Sequence, residues 1–362
     1  MGRVVYVHVG APKTGTTYLQ TRLGLNRAEL ARHDVHYPIG LHAGHFKPAL
    51  DVLDLPWGGQ REDVKGEWDA LANRVRRLDG TVLISHEILA GAGPERIEYA
   101  LSKLRGEVHV VYSARDLGRQ IPAEWQEGVK HKRGNSFANF LKRVQRHPRT
   151  NSDLWFWRAQ GLPDVLSRWS SGLPPERVHL VTVPQPGAAK DELWRRYCAA
   201  FGIDPSWAPQ ESERENVSIG IAETTLLRKL NRRLQRAGFP SDEYRRLVRE
   251  LVVHQTLAQR PNMIRATLPP EAYPWAGQIA EEWIDWVNGA GIDVVGDLED
   301  LRPVPLADGE EWRDPDVPKR PAMIDASLDA LVAVIQEAAS RPDPHEQIGA
   351  KLTRAARRLR GQ

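Results

Sequence analysis

One cysteine, Cys198, and three methionines are all the sulfur in these 362 residues. A lone thiol closes no intrachain disulfide and builds no cysteine-rich metal site, so a reducing compartment such as the cytoplasm is expected. Long apolar runs are missing as well. None approaches the ~20 residues needed to cross a bilayer, so no integral membrane association is expected. Charge of one sign is scarce too. Fifty Lys and Arg face 47 Asp and Glu, a formal +3, which does not argue for nucleic acid as a partner. The first apolar run begins at Val4, so a secretory leader is not expected, and position 6 is Tyr6 where a myristoylation signal carries Ser or Thr. There is no internal repeat.

With 41% apolar and 27% charged residues, the composition is that of a globular protein long enough for one main domain with additions. Short β-branched runs at 4–9, 81–85, 108–112 and 178–183 read as buried strands. Helical patterns lie between them, notably over 68–77 and 155–169. Alternation of this kind predicts an α/β fold: a three-layer, P-loop-type parallel sheet flanked by helices, with ligands beyond the carboxyl ends of the strands. The expected main domain is 1–301, with a helical cap or flank over about 219–290 in which Leu226, Leu227, Leu230 and Leu234 face one way and Arg228, Lys229, Arg232 and Arg233 largely the other. A Pro/Asp/Gly-rich linker, 302–321, precedes a helical C-terminal extension, 322–362, with amphipathic patterns at 322–339 and 345–360. The last is basic through Lys351, Arg354, Arg357, Arg358 and Arg360, and reads as a solvated face.

Chemistry concentrates at three strand ends. After the first strand comes Pro12-Lys13-Thr14-Gly15-Thr16-Thr17, followed by a helical pattern from Tyr18. Gly15 permits a tight turn, the loop amides and the helix N-terminus offer donors to an anion, and Lys13, Thr16 and Thr17 add charge and hydroxyls. The Walker A order is absent, because Lys13 precedes Gly15. The second strand end carries Ser85, His86 and Glu87, an imidazole and a carboxylate side by side, either of which can act as a general base; His42 and His45 are further candidates. The third carries Ser113, Arg115 and Asp116 with Arg119 beyond, a guanidinium suited to a bidentate grip on phosphate.

These three elements resemble the sulfotransferases that use 3′-phosphoadenosine 5′-phosphosulfate (PAPS). The loop is similar to that family's Pro-Lys-Ser/Thr-Gly-Thr-Thr, the Ser85-His86 strand end to its Lys-Thr-His, and the strand ending in Arg115 to its 3′-phosphate site. Further stretches, Phe156 with Trp157, 178–184, Asn216 to Ser218 with Leu226 to Arg228, and 283–301, resemble bacterial, mainly actinobacterial, members. The resemblance implies PAPS as co-substrate, adenosine 3′,5′-bisphosphate as product, no metal, and a small-molecule or glycan acceptor sulfated on a hydroxyl or, less commonly, an amine. It implies that Lys13 neutralises the leaving group, that Thr14, Gly15, Thr16 and Thr17 hold the 5′-phosphosulfate, that Tyr18 stands where an adenine-stacking tryptophan is found, and that His86 or Glu87 takes the acceptor proton. Arg115 would read the 3′-phosphate. The family's serine in the next helix is Ala123 here, so Arg119, Gln120 or Ser113 would have to supply that donor. Two rivals remain open: an NTP-dependent P-loop kinase, which needs Mg²⁺ and the absent Walker order, and a non-catalytic nucleotide-binding module on the same fold. Trp155, Trp157 and Trp169 are expected in the core.

Overall fold

The computed structural model describes residues 2–38, 44–55, 64–211 and 218–341. Six strands form one sheet: β1 (Val4–His8), β2 (Val35–His36), β3 (Thr81–Ser85), β4 (Glu107–Ala114), β5 (Val178–Thr182) and β6 (Asp293–Val295). Their order is β2-β3-β1-β4-β5-β6, and every pairing is parallel. The four apolar runs became the four central strands. The edge strands β2 and β6, two and three residues long, are too short to leave a period in the sequence.

Alternation along each strand builds two cores. Val5, Val7, Val82, Ile84, Val110, Tyr112, Val178 and Leu180 face one layer of helices. Leu83, Val111 and Val181 face the other, where Leu19, Leu23, Trp194, Tyr197 and Phe201 close over them. Each fully buried aliphatic side chain stabilises the fold by about 1.5–3 kcal/mol relative to exposure. The sheet therefore lies between two helical layers, with its carboxyl ends at one rim.

The 155–169 pattern divides at Gly161 into helices Trp155–Gln160 and Leu162–Trp169, because Pro163 has no N–H to continue the first and suits the first turn of the second. Trp157 and Trp169 are fully buried, their indole N–H groups donating to the carbonyls of Val144 (2.7 Å) and Leu89 (3.1 Å). Both are core residues, as expected; Trp155 is half-buried against it.

The 219–259 region contains the helix Ile221–Arg236 and a π-helical segment, Tyr244–Thr256. One residue there departs from the expected polar face. Arg228 turns inward, is 6% exposed, and pairs with Asp316 at 3.0 Å. That contact straps the irregular 302–319 stretch to the body, and Asp316 also accepts from the backbone N–H groups of Phe137 and Ala138. The helix Arg320–Ala339 follows, buries Ala326, and turns Ile324, Leu328, Leu331 and Ile335 outward. Glu337 and Asp329 tie it to Arg246 and Arg260. The basic 345–360 pattern and His42 lie outside the described residues.

Candidate functional site

β1 lies between β3 and β4, so the chain crosses from one side of it to the other, and the loop after β1 stands at that switch point. Its backbone is pinned from β4: Val9 N donates to Val111 O (2.9 Å) and Ala11 N to Ser113 O (2.7 Å). Below it runs a buried polar chain. His8 Nδ1 meets Ser85 Oγ at 2.8 Å, His8 Nε2 meets Ser113 Oγ at 3.1 Å, and Ser113 Oγ meets Thr14 Oγ1 at 2.6 Å. Burial lowers the His8 pKa to about 3, so the ring is a neutral strut. Thr14 also donates to Ala11 O and is fully enclosed. Gln120 and Gln160 hold Pro12 O at 2.6 and 3.1 Å, and Tyr197 holds Thr14 O at 3.1 Å. The hydroxyl of Thr14, a residue expected at the ligand, is engaged within the loop's support.

Gly15, with φ +88°, turns the loop into the helix Thr16–Leu25; a Cβ there would come within 2.6 Å of Leu193. That helix has no side-chain cap and no acid in its first turn, and its first internal bond is Leu19 N to Gly15 O. The amides of Thr16, Thr17 and Tyr18 therefore lack helical acceptors at the positive end of the dipole, an arrangement that favours an anion. Lys13 sits at φ +65°, a conformation that costs a non-glycine residue about 1–3 kcal/mol. Its Nζ donates to Glu127 Oε2 at 3.1 Å. Thr17 is half-buried. Tyr18, also half-buried, packs on the second core and accepts from Arg22 at 2.8 Å.

On the β3 side, Glu87 and His86 begin a tight 3₁₀ turn pressed against the loop, where Gly10 (φ +113°) has no room for a Cβ beside the Glu87 carbonyl at 2.9 Å. His86 Nδ1 accepts from Ile88 N at 3.3 Å and stands 3.8 Å from Glu87 Oε2. With Nδ1 as acceptor, the neutral ring carries its proton on Nε2. Burial lowers the His86 pKa despite the neighbouring carboxylate. Burial alone would raise Glu87, but His86, its own backbone N–H, Gln20 (3.0 Å) and the Thr16 hydroxyl outweigh it and hold the carboxyl below its usual range. His45 is buried, accepts from Ser85 N at 3.3 Å through Nδ1, and leaves Nε2 without a partner; burial and the His86 ring lower its pKa to about 3.

On the β4 side the helix Leu117–Lys130 begins at Asp116, which caps it by accepting from Arg119 N at 2.9 Å. Arg115 is poorly paired. One terminal nitrogen donates to Arg119 O at 2.5 Å, while Nε is buried without a partner, and burial followed by the Arg119 charge lowers its pKa to about 10. Arg119 is fully engaged with Asp116, Pro184 O (2.9 Å) and Val183 O (3.3 Å). Ser113 and Gln120 are likewise committed to the loop. All three thus already donate within the protein, although Gln120 Oε1 is buried without a partner.

Farther along this helix, Glu124, Glu127 and Lys130 gather around the Lys13 side chain. Burial pushes Glu124 up to about 7. Burial opposes ionisation of Glu127 too, but the His131 hydrogen bond and the Lys13 and Lys130 charges hold it far below the usual range. The sequence reading missed these residues, together with His8, Gln20, Gln160 and Arg249. The spacing of 124, 127, 130 and 131 on one helix face directly after Arg115 was a usable signal; Arg249, far away in sequence, offered none. Lys13 is thus engaged with Glu127 rather than with His86 or Glu87. A cleft of about 620 Å³ opens beside Gly118, lined by Tyr273, Pro303 and Arg302 among others, and none of Lys13, His86, Glu87 or Arg115 lines it. Comparison with protein-family models, curated proteins and solved structures finds no match to the chain.

Proposed function

We propose that the protein is a sulfotransferase that takes a sulfonate from PAPS and transfers it to a hydroxyl, or less commonly an amine, of a small molecule or glycan. The observation that carries this reading is the pairing of two anion-seeking features at adjacent strand ends. The uncapped helix behind Lys13 suits a 5′-phosphosulfate, and the underpaired Arg115 at the end of β4 suits a second phosphate on the same nucleotide. In this reading Lys13 leaves Glu127 for the bridging oxygen, where its charge counts most as negative charge develops on the leaving phosphate. Glu87 takes the acceptor proton. It is ionised, one quarter of its side chain is exposed, and it is already oriented by Gln20, whereas the Nδ1 lone pair of His86 is occupied by Ile88. An in-line transfer then breaks the S–O bond to the nucleotide as the acceptor oxygen bonds to sulfur. No step in this account uses a metal.

Calorimetry with adenosine 3′,5′-bisphosphate, set against ATP with Mg²⁺, tests the reading. Binding of the bisphosphate alone is expected. Binding of ATP with Mg²⁺ alone would transfer the site to the kinase reading, and bisphosphate binding without turnover on a broad acceptor panel to the non-catalytic one.

A further inference from the structure

Four basic side chains converge on a single carboxylate beside the loop. Glu127 receives Lys13 at 3.1 Å, His131 at 3.2 Å, Arg249 at 3.8 Å and Lys130 at 3.9 Å. Two of these partnerships are incomplete. The Lys130 side chain is only 7% exposed, yet its ammonium stands 3.9 Å from Glu127, beyond hydrogen-bond reach, and the Arg249 Nε is buried without a partner. A lysine buried to that extent is normally paired closely. Two more basic groups, His254 and Arg133, stand nearby, with two further acids: Glu124, which accepts from Gln160 at 3.1 Å, and Glu250 beside His254. The cradle thus carries more positive than negative charge, with donors unused. Lys130 lies in the last turn of its helix, where the dipole favours a cation, while burial and then the Lys13 charge lower its pKa to about 8, and Arg249 comes from the π-helical segment, outside the phosphate loop.

We infer that Lys130 and Arg249, next to Lys13, form a second oxoanion site in which Glu127 is an internal place-holder, and that the acceptor carries a phosphate, sulfate or carboxylate group that docks there. The inference rests on the donor reading above. Its occupant displaces Glu127, completes the bonds that Lys130 and Arg249 lack, and brings the acceptor alongside Lys13.

Inorganic sulfate is a suitable probe, titrated against the full chain by calorimetry at constant ionic strength with chloride as control, because screening alone changes with salt. Three arms are needed: the free protein, protein saturated with adenosine 3′,5′-bisphosphate, and protein saturated with PAPS. Sulfate binding in all three arms is expected. Binding that vanishes only with PAPS would show that the site seats the donor's own sulfonate, and overturns the acceptor claim. Lys130→Gln and Arg249→Gln should each weaken sulfate by about tenfold, the scale of one charge-assisted hydrogen bond, with bisphosphate affinity unchanged. Glu127→Gln should strengthen it, since the competing anion is gone. Unaltered sulfate affinity in Arg249→Gln, the more exposed of the two positions, or weaker binding in Glu127→Gln, overturns the site. Failure of both nucleotides to bind would instead refute the donor reading, while the free-protein titration still reports on the cradle.

Discussion

The two flanks of the loop after β1 are built from opposite materials. On the β3 side, His8 and His45 are buried and neutral, His86 uses its lone pair on a backbone amide, and Glu87 is the one ionised group they surround. On the β4 side, Arg115, Lys130 and Arg249 are cations with too few partners, and Glu127 is shared among several. A desolvated imidazole readily stays uncharged, whereas a guanidinium cannot, so burial leaves neutral rings around a carboxylate on one flank and underpaired cations on the other, which the proposed transfer would use for the acceptor proton and for the anion. A reaction that must both remove a proton and stabilise a leaving anion needs both environments within reach of one loop.

The sharpest way to break this division is to exchange the roles on the β3 flank. Glu87→Gln should lower turnover by about 10²- to 10⁴-fold, the usual worth of a general base, with nucleotide affinity little changed. His86→Ala should be much milder. The reverse ranking, measured with a competent acceptor, would return the base to His86 and show that the Ile88 bond opens during the reaction.

A smaller effect is expected on the β4 flank. Arg115→Ala should weaken adenosine 3′,5′-bisphosphate by about tenfold to a hundredfold, the range for a hydrogen bond to a charged group, and leave AMP binding unchanged, since AMP lacks the 3′-phosphate. Equal losses for both nucleotides would mean that Arg115 supports the strand end rather than reading that phosphate. Thr14→Val should reduce stability by about 1–3 kcal/mol by leaving the buried Ala11 carbonyl without its hydroxyl donor. If urea midpoints stay put while bisphosphate affinity falls, Thr14 belongs to the ligand site after all.

The central strands and the loop were legible because their signals are local: β-branched runs, a glycine at the turn, a lysine before it. The same locality says less about the site. His86 and Glu87 attract notice because they adjoin in sequence, yet one lone pair is already in use. Thr14 looked like a ligand because it lies inside the motif, but parallel pairing brings Ser113 from more than ninety residues away to capture its hydroxyl. The Glu127 cradle needs Lys13, a helix face and the π-helical segment together, a meeting that only tertiary packing arranges. Arg228 fails for the same reason: its amphipathic position says outward, and Asp316 from the strap draws it inward.

Acid titration sharpens the comparison in a measurement that needs no ligand. His8 and His45 titrate near pH 3 when folded, against about 6.5 in an unfolded chain. Between those values the unfolded chain binds a proton that the folded one refuses, so each ring makes stability fall as pH falls, by about 1.4 kcal/mol per pH unit. Glu124 has the opposite sign. Raised to about 7, it keeps a proton in the folded state that the unfolded chain releases above about 4.3, so lowering the pH through that interval favours folding. His86, His179 and His254, also lowered by burial, act in the same sense as His8 and His45, so the histidines outweigh the one glutamate and stability falls between roughly pH 6 and pH 5. Urea unfolding across that interval should show it. His45→Gln should flatten the slope by one proton, and Glu124→Gln should steepen it by one. A slope indifferent to His45→Gln would mean that this ring takes up its proton in the folded protein, and the β3 flank would then be as charged as its neighbour.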